Sequence, residues 1–243
     1  MEPAAQTRIT PGASSVRLSV AVILPVRNEA AVLEAALADL LVRHDPLEVI
    51  VVDGGSHDAS RAIADGFSSR YPVRVFNAPA GRALQMNAGA AAARADILLF
   101  LHADTRLPPN AFERVRDAIG RGHVWGRFDV RLDGAPFAYR VIEGLMNRRS
   151  ALTGIATGDQ AIFVRRDVFE SLGGYVPIAL MEDIELSRRL KRRDRPARIT
   201  DPVKTSARRW ERYGIVRTVL RMWGLRFLYW VGVSPARLAR WYP

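Results

Sequence analysis

The sequence of 243 residues contains no cysteine. This absence excludes disulfide bonds, thiolate metal sites and cysteine nucleophiles, and it is compatible with a reducing compartment. Residues 1–15 also lack the apolar run of a signal peptide, so we predict a disordered lead-in to a protein that is not secreted. There is no internal repeat and no low-complexity tract. The chemistry is therefore expected to belong to one site.

Acidic residues are scarce at the carboxyl-terminal end. The formal net charge is +11, and residues 204–243 contain nine Lys or Arg against the single acid Glu211. This charge alone does not choose among nucleic acid, anionic lipid and phosphorylated substrates. With 49% hydrophobic residues, the chain is long enough for one substantial core. We predict one catalytic domain over 16–203 and a basic, aromatic helical extension over 204–243.

Short apolar runs alternate with helical patterns through the first half of the chain. The runs predict strands at 18–24, 47–52, 73–76 and 97–101, and the patterns between them predict helices at 30–41, 59–67, 82–95 and 109–119. Weaker patterns predict strands at 124–132 and 161–164 and helices at 137–148 and 184–190. Such alternation is typical of an α/β protein with a mostly parallel sheet covered by helices on both faces. Ligands of these sheets bind beyond the carboxyl ends of the strands.

Acidic side chains follow two of the predicted strands. Asp53 precedes Gly54-Gly55 and can accept hydrogen bonds from a nucleobase or ribose, although it can equally form a turn. His102 and Asp104 are alternate residues after the fourth strand and can face one ligand. A carboxylate at 104 suits Mg²⁺ or Mn²⁺ held jointly with phosphates, whereas the alternative is a helix cap or turn.

Glu182 and Asp183 stand at the start of a predicted helix. The helix dipole keeps a carboxylate ionised there, as a general base requires, but carboxylates also cap helices without further function. The same two alternatives, ligand contact and capping, apply to Asn28 and Glu29 in the loop after Pro25.

Arg82 and Asn87 lie on the predicted third helix. An arginine and free backbone donors at a helix start can face a phosphate, although surface solvation is the ordinary role of a single arginine.

Five segments, taken in order, resemble the family 2 glycosyltransferases of GT-A fold: PVRNE, VVDGGSHD, GRALQMNAGAAAA, LLFLHAD and MEDIEL. The resemblance covers residues 19–193. It implies a nucleotide-diphosphate-sugar transferase fold in which the Pro25 loop and Asp53 hold the nucleotide. It also implies a Mg²⁺ or Mn²⁺ ion at Asp104, the metal position of the family's DxD motif, with His102 in place of the first acid.

The same resemblance implies the catalytic roles. Asp183 matches the catalytic base, with Glu182 as its orienter or alternative, and Asp159 and Gln160 match the acceptor-side segment. Asp183 would take a proton from an acceptor hydroxyl while that oxygen attacks the anomeric carbon opposite the diphosphate, with inversion.

Apolar residues in the extension repeat at three- and four-residue steps and predict an amphipathic helix. They are Val216, Val219, Leu220, Trp223, Phe227 and Trp230. Flanking arginines exclude a membrane span, so the stripe either lies in a membrane interface or packs on the domain or a second subunit. Just upstream, Arg208 and Arg209 occupy a segment similar to the family's QxxRW, without its glutamine, and are predicted to reach the diphosphate.

The basic aromatic extension favours a lipid or lipid-linked acceptor, such as a carotenoid or polyprenyl phosphate, and no nucleic-acid partner. The predicted location is cytoplasmic or peripheral on the inner face of the cytoplasmic membrane. A homodimer through the extension stays an alternative.

Two rival functions remain. A sugar-phosphate nucleotidyltransferase would need a glycine-rich basic loop after the first strand, which residues 24–29 do not provide. A non-catalytic nucleotide- or lipid-binding module would not need Asp183. The transferase hypothesis requires Asp53, Asp104 and Asp183 to meet around one pocket.

Overall fold

One eight-stranded sheet forms the centre of the computed structural model, which describes residues 17–44, 46, 48–134 and 136–242. The strands are β1 (Val20–Val26), β2 (Glu48–Asp53), β3 (Val73–Asn77), β4 (Ile97–Phe100), β5 (Thr105–Arg106), β6 (Trp125–Leu132), β7 (Phe163–Arg165) and β8 (Ala197–Thr205). The helices are α1 (Ala30–Arg43), α2 (Ser60–Ser68), α3 (Arg82–Ala92), α4 (Ala111–Gly120), α5 (Phe137–Thr153), α6 (Arg166–Ser171), α7 (Glu182–Lys191), α8 (Arg208–Tyr213), α9 (Ile215–Trp230) and α10 (Pro235–Arg240). A 3-10 helix occupies Gly158–Gln160. The predicted lead-in, 1–15, and Leu47 lie outside the described residues.

The first half of the sheet is parallel. Its strands lie in the order β3-β2-β1-β4, and each neighbouring pair is parallel. All six residues of β2 are buried, as are six of the seven in β1. Strands apolar on both faces are stable only beneath two layers of helices, which is why these runs predict a covered parallel sheet. The four predicted strands are confirmed.

The second half of the sheet is mixed. Strand β7 is antiparallel to both β4 and β6, and β5 is antiparallel to β8, while β6 and β8 are parallel. Four of the seven pairings are therefore parallel. The expectation of a mostly parallel sheet describes the first half better than the second.

Helices cover both faces of the sheet, as predicted. Along β1, Val22 and Leu24 enter one buried cluster and Ala21 and Ile23 the other, because successive side chains of a strand point to opposite faces. The first cluster receives side chains from α1, α2 and α4, and the second from α3, α6 and α7.

Gln85 joins the carboxyl ends of β1 and β2. Its Nε2 donates to the carbonyl oxygens of Val26 and Val52, both at 2.8 Å. A Cβ at Gly54 would lie 2.8 Å from the carboxamide carbon of Gln85, so glycine is needed where that side chain passes. We call the edge of the sheet where β1, β2 and β4 end the carboxyl edge.

Strand β8 corrects the predicted domain boundary. It runs from Ala197 to Thr205, so the boundary expected between 203 and 204 falls inside the strand. Its pairing with β6 places it within the sheet, and the extension begins only after Thr205. Charged residues and Pro202 interrupt its apolar pattern, which is why the sequence did not indicate a strand here.

Helix α9 forms where the stripe predicts a helix, but most of the stripe faces solvent. Val216, Leu220, Trp223, Phe227 and Trp230 are each at least 60% exposed. A different face, through Leu225 and Leu228, packs on Leu180, Met181 and Ile184 beside the start of α7. The alternative in which the stripe packs on the catalytic domain is therefore wrong for these five residues. Among the described helices, none combines the length and apolar character of a membrane span.

Candidate active site

A cavity of about 510 Å³ lies beyond the carboxyl edge. The predicted site residues that line it are Arg82, His102, Asp104, Asp159, Glu182, Asp183, Arg208 and Arg209. They come from the start of α3, the segment after β4, the 3-10 helix, the start of α7 and the start of α8. Asp104 and Asp183, which are far apart in the chain, thus share one cavity, as the transferase hypothesis requires.

Asp104 is bridged to Glu29 by an arginine. Nη2 of Arg208 lies 3.7 Å from Oδ2 of Asp104 and 3.4 Å from Oε2 of Glu29. Burial raises the pKa of Glu29, and the Arg208 guanidinium acts in the opposite direction. Glu29 does not line the cavity, but through Arg208 it belongs to the same cluster of charges.

His102 is held as a neutral imidazole. Burial lowers its pKa to about 4, the positive charge of Arg82 adds to the effect, and Asp104 opposes it. The ring lies against the backbone of Gly158, where an added Cβ would be only 2.7 Å from its Cε1 atom. At neutral pH the ring can offer a nitrogen lone pair and an N–H, but not a charge.

Asp183 is fixed by backbone donors at the start of α7. Its Oδ2 accepts a hydrogen bond from the Gly158 N–H at 2.9 Å, and its Oδ1 accepts one from the Ile184 N–H at 2.7 Å. Met181, just before the helix, has a left-handed φ of 71°, which is costly for a non-glycine residue. This backbone geometry directs the first turn of α7, with its two acids, toward the cavity.

Glu182 is buried beside Asp183. Burial raises its pKa to about 7, and the negative charge of Asp183 adds to the effect, whereas Arg82 opposes it. Glu182 therefore exchanges a proton near neutral pH.

Gln160 is a structural residue, which corrects its predicted acceptor-side role. It is fully buried, its Oε1 accepts from the Thr157 N–H at 3.1 Å, and it closes a capping box around the 3-10 helix. Its neighbour Asp159 does line the cavity and is hydrogen-bonded by the Thr157 hydroxyl. The two residues share a segment but not a function.

Asn87 is also corrected. Its Nδ2 donates to the Tyr175 carbonyl oxygen and its Oδ1 accepts from the Tyr175 N–H, both at 2.8 Å. The carboxamide is thus used to hold the loop before α7 and does not line the cavity.

Asp53 and the Pro25 loop lie at the carboxyl edge but do not line the cavity. Asp53 accepts hydrogen bonds from the N–H and hydroxyl of Ser56, which is the turn-forming alternative. Asn28 has a left-handed φ of 56°, donates its N–H to the Ser56 hydroxyl, and accepts from the His57 N–H. The structure therefore brings Asp104 and Asp183 together but leaves Asp53 outside their cavity.

Arg209 is seated by the end of the extension. Its guanidinium lies over the ring of Tyr242, 4.6 Å from the centroid, and donates to the Tyr242 hydroxyl. Burial lowers the pKa of Arg209, and Arg82 acts in the same direction. Arg82, Arg208 and Arg209 thus place three cations around Asp104.

The described residues do not form a complete metal site. Among them, no group of three or more His, Cys, Asp or Glu side chains is arranged to hold an ion. The Asp104 side chain is 30% exposed to the cavity side, and one carboxylate is enough where substrate phosphates complete the shell of Mg²⁺. The residues fit a cation that arrives with a phosphorylated ligand.

Apolar residues also line the cavity, and this was not foreseen from the sequence. They come mainly from α5 and α9 and include Leu145, Leu152, Val219, Met222, Trp223 and Leu225. Arg149 and Arg226 on the same helices also line it. The available signal was the pair of apolar patterns on helices 137–148 and 216–230, but spacing alone does not show that two helices face one cavity.

Residues 21–173 match the family model described as Glycosyl transferase family 2. The undecaprenyl-phosphate 4-deoxy-4-formamido-L-arabinose transferase of Aeromonas hydrophila is 34% identical over 112 residues, which cover 43% of this chain and 34% of that protein. The chain spans less than half the length of the curated relatives it matches.

Two solved structures support the fold. TarS of S. aureus in complex with UDP-GlcNAc has a TM-score of 0.62 and 16% identity, covering 78% of this chain and 58% of that one. The mannosyltransferase PcManGT of Pyrobaculum calidifontis, in complex with GDP-Man and Mn²⁺, has a TM-score of 0.59 and 22% identity, covering 79% of this chain and 57% of that one. The family match extends over more than half of the chain, and its fold, motif order and shared cavity agree. The chain therefore belongs to glycosyl transferase family 2.

Proposed function

We propose that the protein is an inverting, metal-dependent glycosyltransferase that moves a sugar from a nucleoside diphosphate to an acceptor with an apolar portion. The observation that carries this proposal is the cavity shared by Asp104 and Asp183, which is lined by both cationic and apolar side chains. The sugar-bound complexes of TarS and PcManGT support a nucleotide-sugar donor.

Asp183 is the proposed general base. It takes a proton from an acceptor hydroxyl as that oxygen forms a bond to the anomeric carbon, and the bond from that carbon to the diphosphate breaks on the opposite face. The configuration therefore inverts. The two backbone N–H donors on Asp183 fix the direction of its carboxylate. Glu182 orients the first turn of α7 and exchanges a proton near neutral pH.

Arg82, Arg208 and Arg209 stabilise the negative charge that develops on the leaving diphosphate. A Mg²⁺ or Mn²⁺ ion at Asp104 would supply further electrostatic stabilisation of the diphosphate. The presence of Mn²⁺ in the PcManGT complex supports such an ion. Asp53, Asn28 and the Pro25 loop remain at the carboxyl edge, where they contact the nucleoside if it extends beyond the cavity.

The extension supports action at a membrane. The exposed stripe of α9 lies among Arg217, Arg221 and Arg226, and α5 also exposes Phe137 and Leu152. Basic amphipathic helices with aromatic apolar faces bind anionic lipid surfaces. We therefore place the enzyme peripherally on an anionic leaflet, with both cavity-lining helices toward the lipid. A homodimer through the same stripe is the competing outcome.

The test of the base is Asp183→Asn, because asparagine can still accept the Gly158 N–H. Nucleoside diphosphate release from a panel of UDP- and GDP-sugars, with and without Mn²⁺, measures turnover, and thermal shift measures donor binding. We expect turnover to fall by about 10² to 10⁴, the usual contribution of a general base, with donor binding unchanged. Proton NMR of the first-formed product should show the inverted anomer.

The control is Asp65→Asn, on the exposed surface of α2. Unchanged turnover in Asp183→Asn would contradict the assignment of Asp183 as the base. Donor binding without turnover in the wild type would instead favour a binding module. Release of pyrophosphate from a sugar phosphate and a nucleoside triphosphate would instead identify a nucleotidyltransferase.

A further inference from the structure

Arg149 and Arg226 are two arginines of the cavity that the proposed chemistry does not use. They project from α5 and α9 and both line the cavity. Nε and Nη2 of Arg149 and Nε of Arg226 are buried, and no described residue accepts a hydrogen bond from them. Buried donors without acceptors cost free energy, so native proteins rarely keep them without a ligand-binding or structural reason.

The two guanidinium groups also repel each other. Burial lowers the pKa of Arg149 to about 10, and the charge of Arg226 is the next largest cause, while Asp159 and Asp183 act in the opposite direction. With this pKa, Arg149 stays protonated at neutral pH. Neither of the two arginines forms an ion pair with any residue in the described part of the chain, in contrast to Arg208, which has Glu29 and Asp104.

The other residues that line the cavity indicate the chemical class of the ligand. Leu145, Leu152, Met222 and Leu225 line the same cavity as the two arginines, and the charges of Asp159 and Asp183 act on the pKa of Arg149. A small inorganic anion would satisfy the arginines but leave the apolar walls without a partner. An anionic group attached to an apolar chain satisfies both.

We propose that Arg149 and Arg226 form an anion subsite for the acceptor, and that the acceptor is an amphiphile whose phosphate or similar anionic group lies between them. This inference rests on the proposed function and names the acceptor class of the same cavity. Arginine suits the role because its planar fork makes two parallel hydrogen bonds to phosphate oxygens. The subsite is separate from the cations around Asp104, which serve the diphosphate of the donor.

The test measures octyl phosphate binding to the full chain by isothermal titration calorimetry. Octanol and inorganic phosphate serve as the uncharged and chain-free probes. Arg149→Gln and Arg226→Gln should each weaken octyl phosphate binding by roughly tenfold or more, since each removes charge-assisted hydrogen bonds. Arg217→Gln, on the exposed side of α9, is the matched control and should bind like the wild type. Thermal melting of each variant shows whether it folds, and octyl phosphate should raise the melting temperature of the wild type but not of Arg149→Gln.

Four results would overturn the subsite. An equal loss in Arg217→Gln would mean diffuse attraction by the basic extension. Equal affinity for octyl phosphate and inorganic phosphate would show that the apolar chain is not recognised. Equal affinity for octyl phosphate and octanol would show that the charge is not recognised. Loss of UDP and GDP binding in Arg149→Gln would assign the pair to the donor.

The proposed function fails separately from the subsite. Slow hydrolysis of the nucleotide sugar in the absence of acceptor is measured on the wild type and on Arg217→Gln, and we expect it in both. A wild type that binds octyl phosphate through Arg149 but turns over no nucleotide sugar would contradict the proposed function and leave the subsite standing.

Discussion

At the scale of single residues, the site is controlled by burial more than by the number of charges. His102, Glu182 and Arg149 each face the cavity, and in each case burial is the largest cause of the pKa shift. Burial disfavours the charged form. It therefore keeps His102 neutral and brings the pKa of Glu182 close to physiological pH. Burial in this cavity therefore sets the protonation states of residues that look ordinary in the sequence.

Glu182 makes the stability of the protein depend on pH. Its raised pKa means that the folded chain holds this proton more tightly than the unfolded chain does. The stabilisation is full below the unfolded pKa of 4.5 and is lost as the pH rises through about 7. We predict that the free energy of unfolding of the wild type falls relative to that of Glu182→Gln as the pH is raised across this window.

Urea unfolding of both proteins at about pH 5 and about pH 8 measures the difference. Glu185→Gln is the control, because Glu185 is on the same helix, forms an ion pair with Arg189 and does not line the cavity. Parallel stability profiles for the wild type and Glu182→Gln would show that Glu182 is ionised throughout.

At the scale of elements, the hydrogen bonds of the Gln85 side chain hold the ends of β1 and β2 together. In Gln85→Ala the carbonyl oxygens of Val26 and Val52 lose a shared buried donor. The Val26 carbonyl oxygen keeps the Gly54 N–H as a donor at 2.9 Å. The variant therefore loses two hydrogen bonds at about 0.5–1.5 kcal/mol each, and we predict a loss of about 2 kcal/mol in the free energy of unfolding. Urea unfolding tests this, with Leu84→Ala as the control, since Leu84 is on the same helix and 38% exposed. Equal midpoints for the two variants would contradict the role of Gln85.

The elements also show what the sequence could predict. The strands β1, β2 and β4 were predictable because they are buried on both faces, which leaves an uninterrupted apolar run. Strand β8 was not, since it exposes Arg198 and Thr200 at alternate positions and contains Pro202. Here the position of the strand depends on its pairing with β6, a long-range contact that local pattern does not encode.

The same contrast between local pattern and long-range contacts applies to the residues of the candidate site. That Asp104 and Asp183 share a cavity could be predicted, because each lies directly at the end or start of a regular element. Gln160 and Asn87 could not be assigned correctly, since a polar side chain that bonds to a distant backbone looks the same in sequence as one that binds a ligand. Arg149 and Arg226 were missed because their significance comes from the cavity between two helices and from partners that they lack among the described residues.

At the scale of the whole molecule, some apolar side chains that are exposed to solvent also line the cavity. Trp223 and Leu145 are both exposed and both line the cavity. A lipid acceptor could then reach the catalytic end without leaving the bilayer surface, which is the reason for placing the enzyme on a membrane.

We predict that the protein floats with vesicles that contain anionic phosphatidylglycerol and binds less to neutral vesicles. Phe227→Ser combined with Trp230→Ser should reduce partitioning by about tenfold or more, because two large apolar side chains no longer enter the interface. Val42→Ser, which is 84% exposed on α1, is the control and should bind like the wild type. Failure to bind either vesicle, together with a dimer in light scattering that the double variant abolishes, would assign the stripe to a second subunit.

The contact between Gly158 and the His102 ring couples two positions that are 56 residues apart in the chain. Any side chain at 158 would need space that the imidazole already fills, and any bulkier ring at 102 would press on the backbone that holds Asp183. We therefore expect substitutions at the two positions to occur together in evolution. Among relatives, an alanine or serine at position 158 should coincide with a smaller side chain at position 102, so this pair shows whether a homologue has kept the same geometry around the residue that matches Asp183.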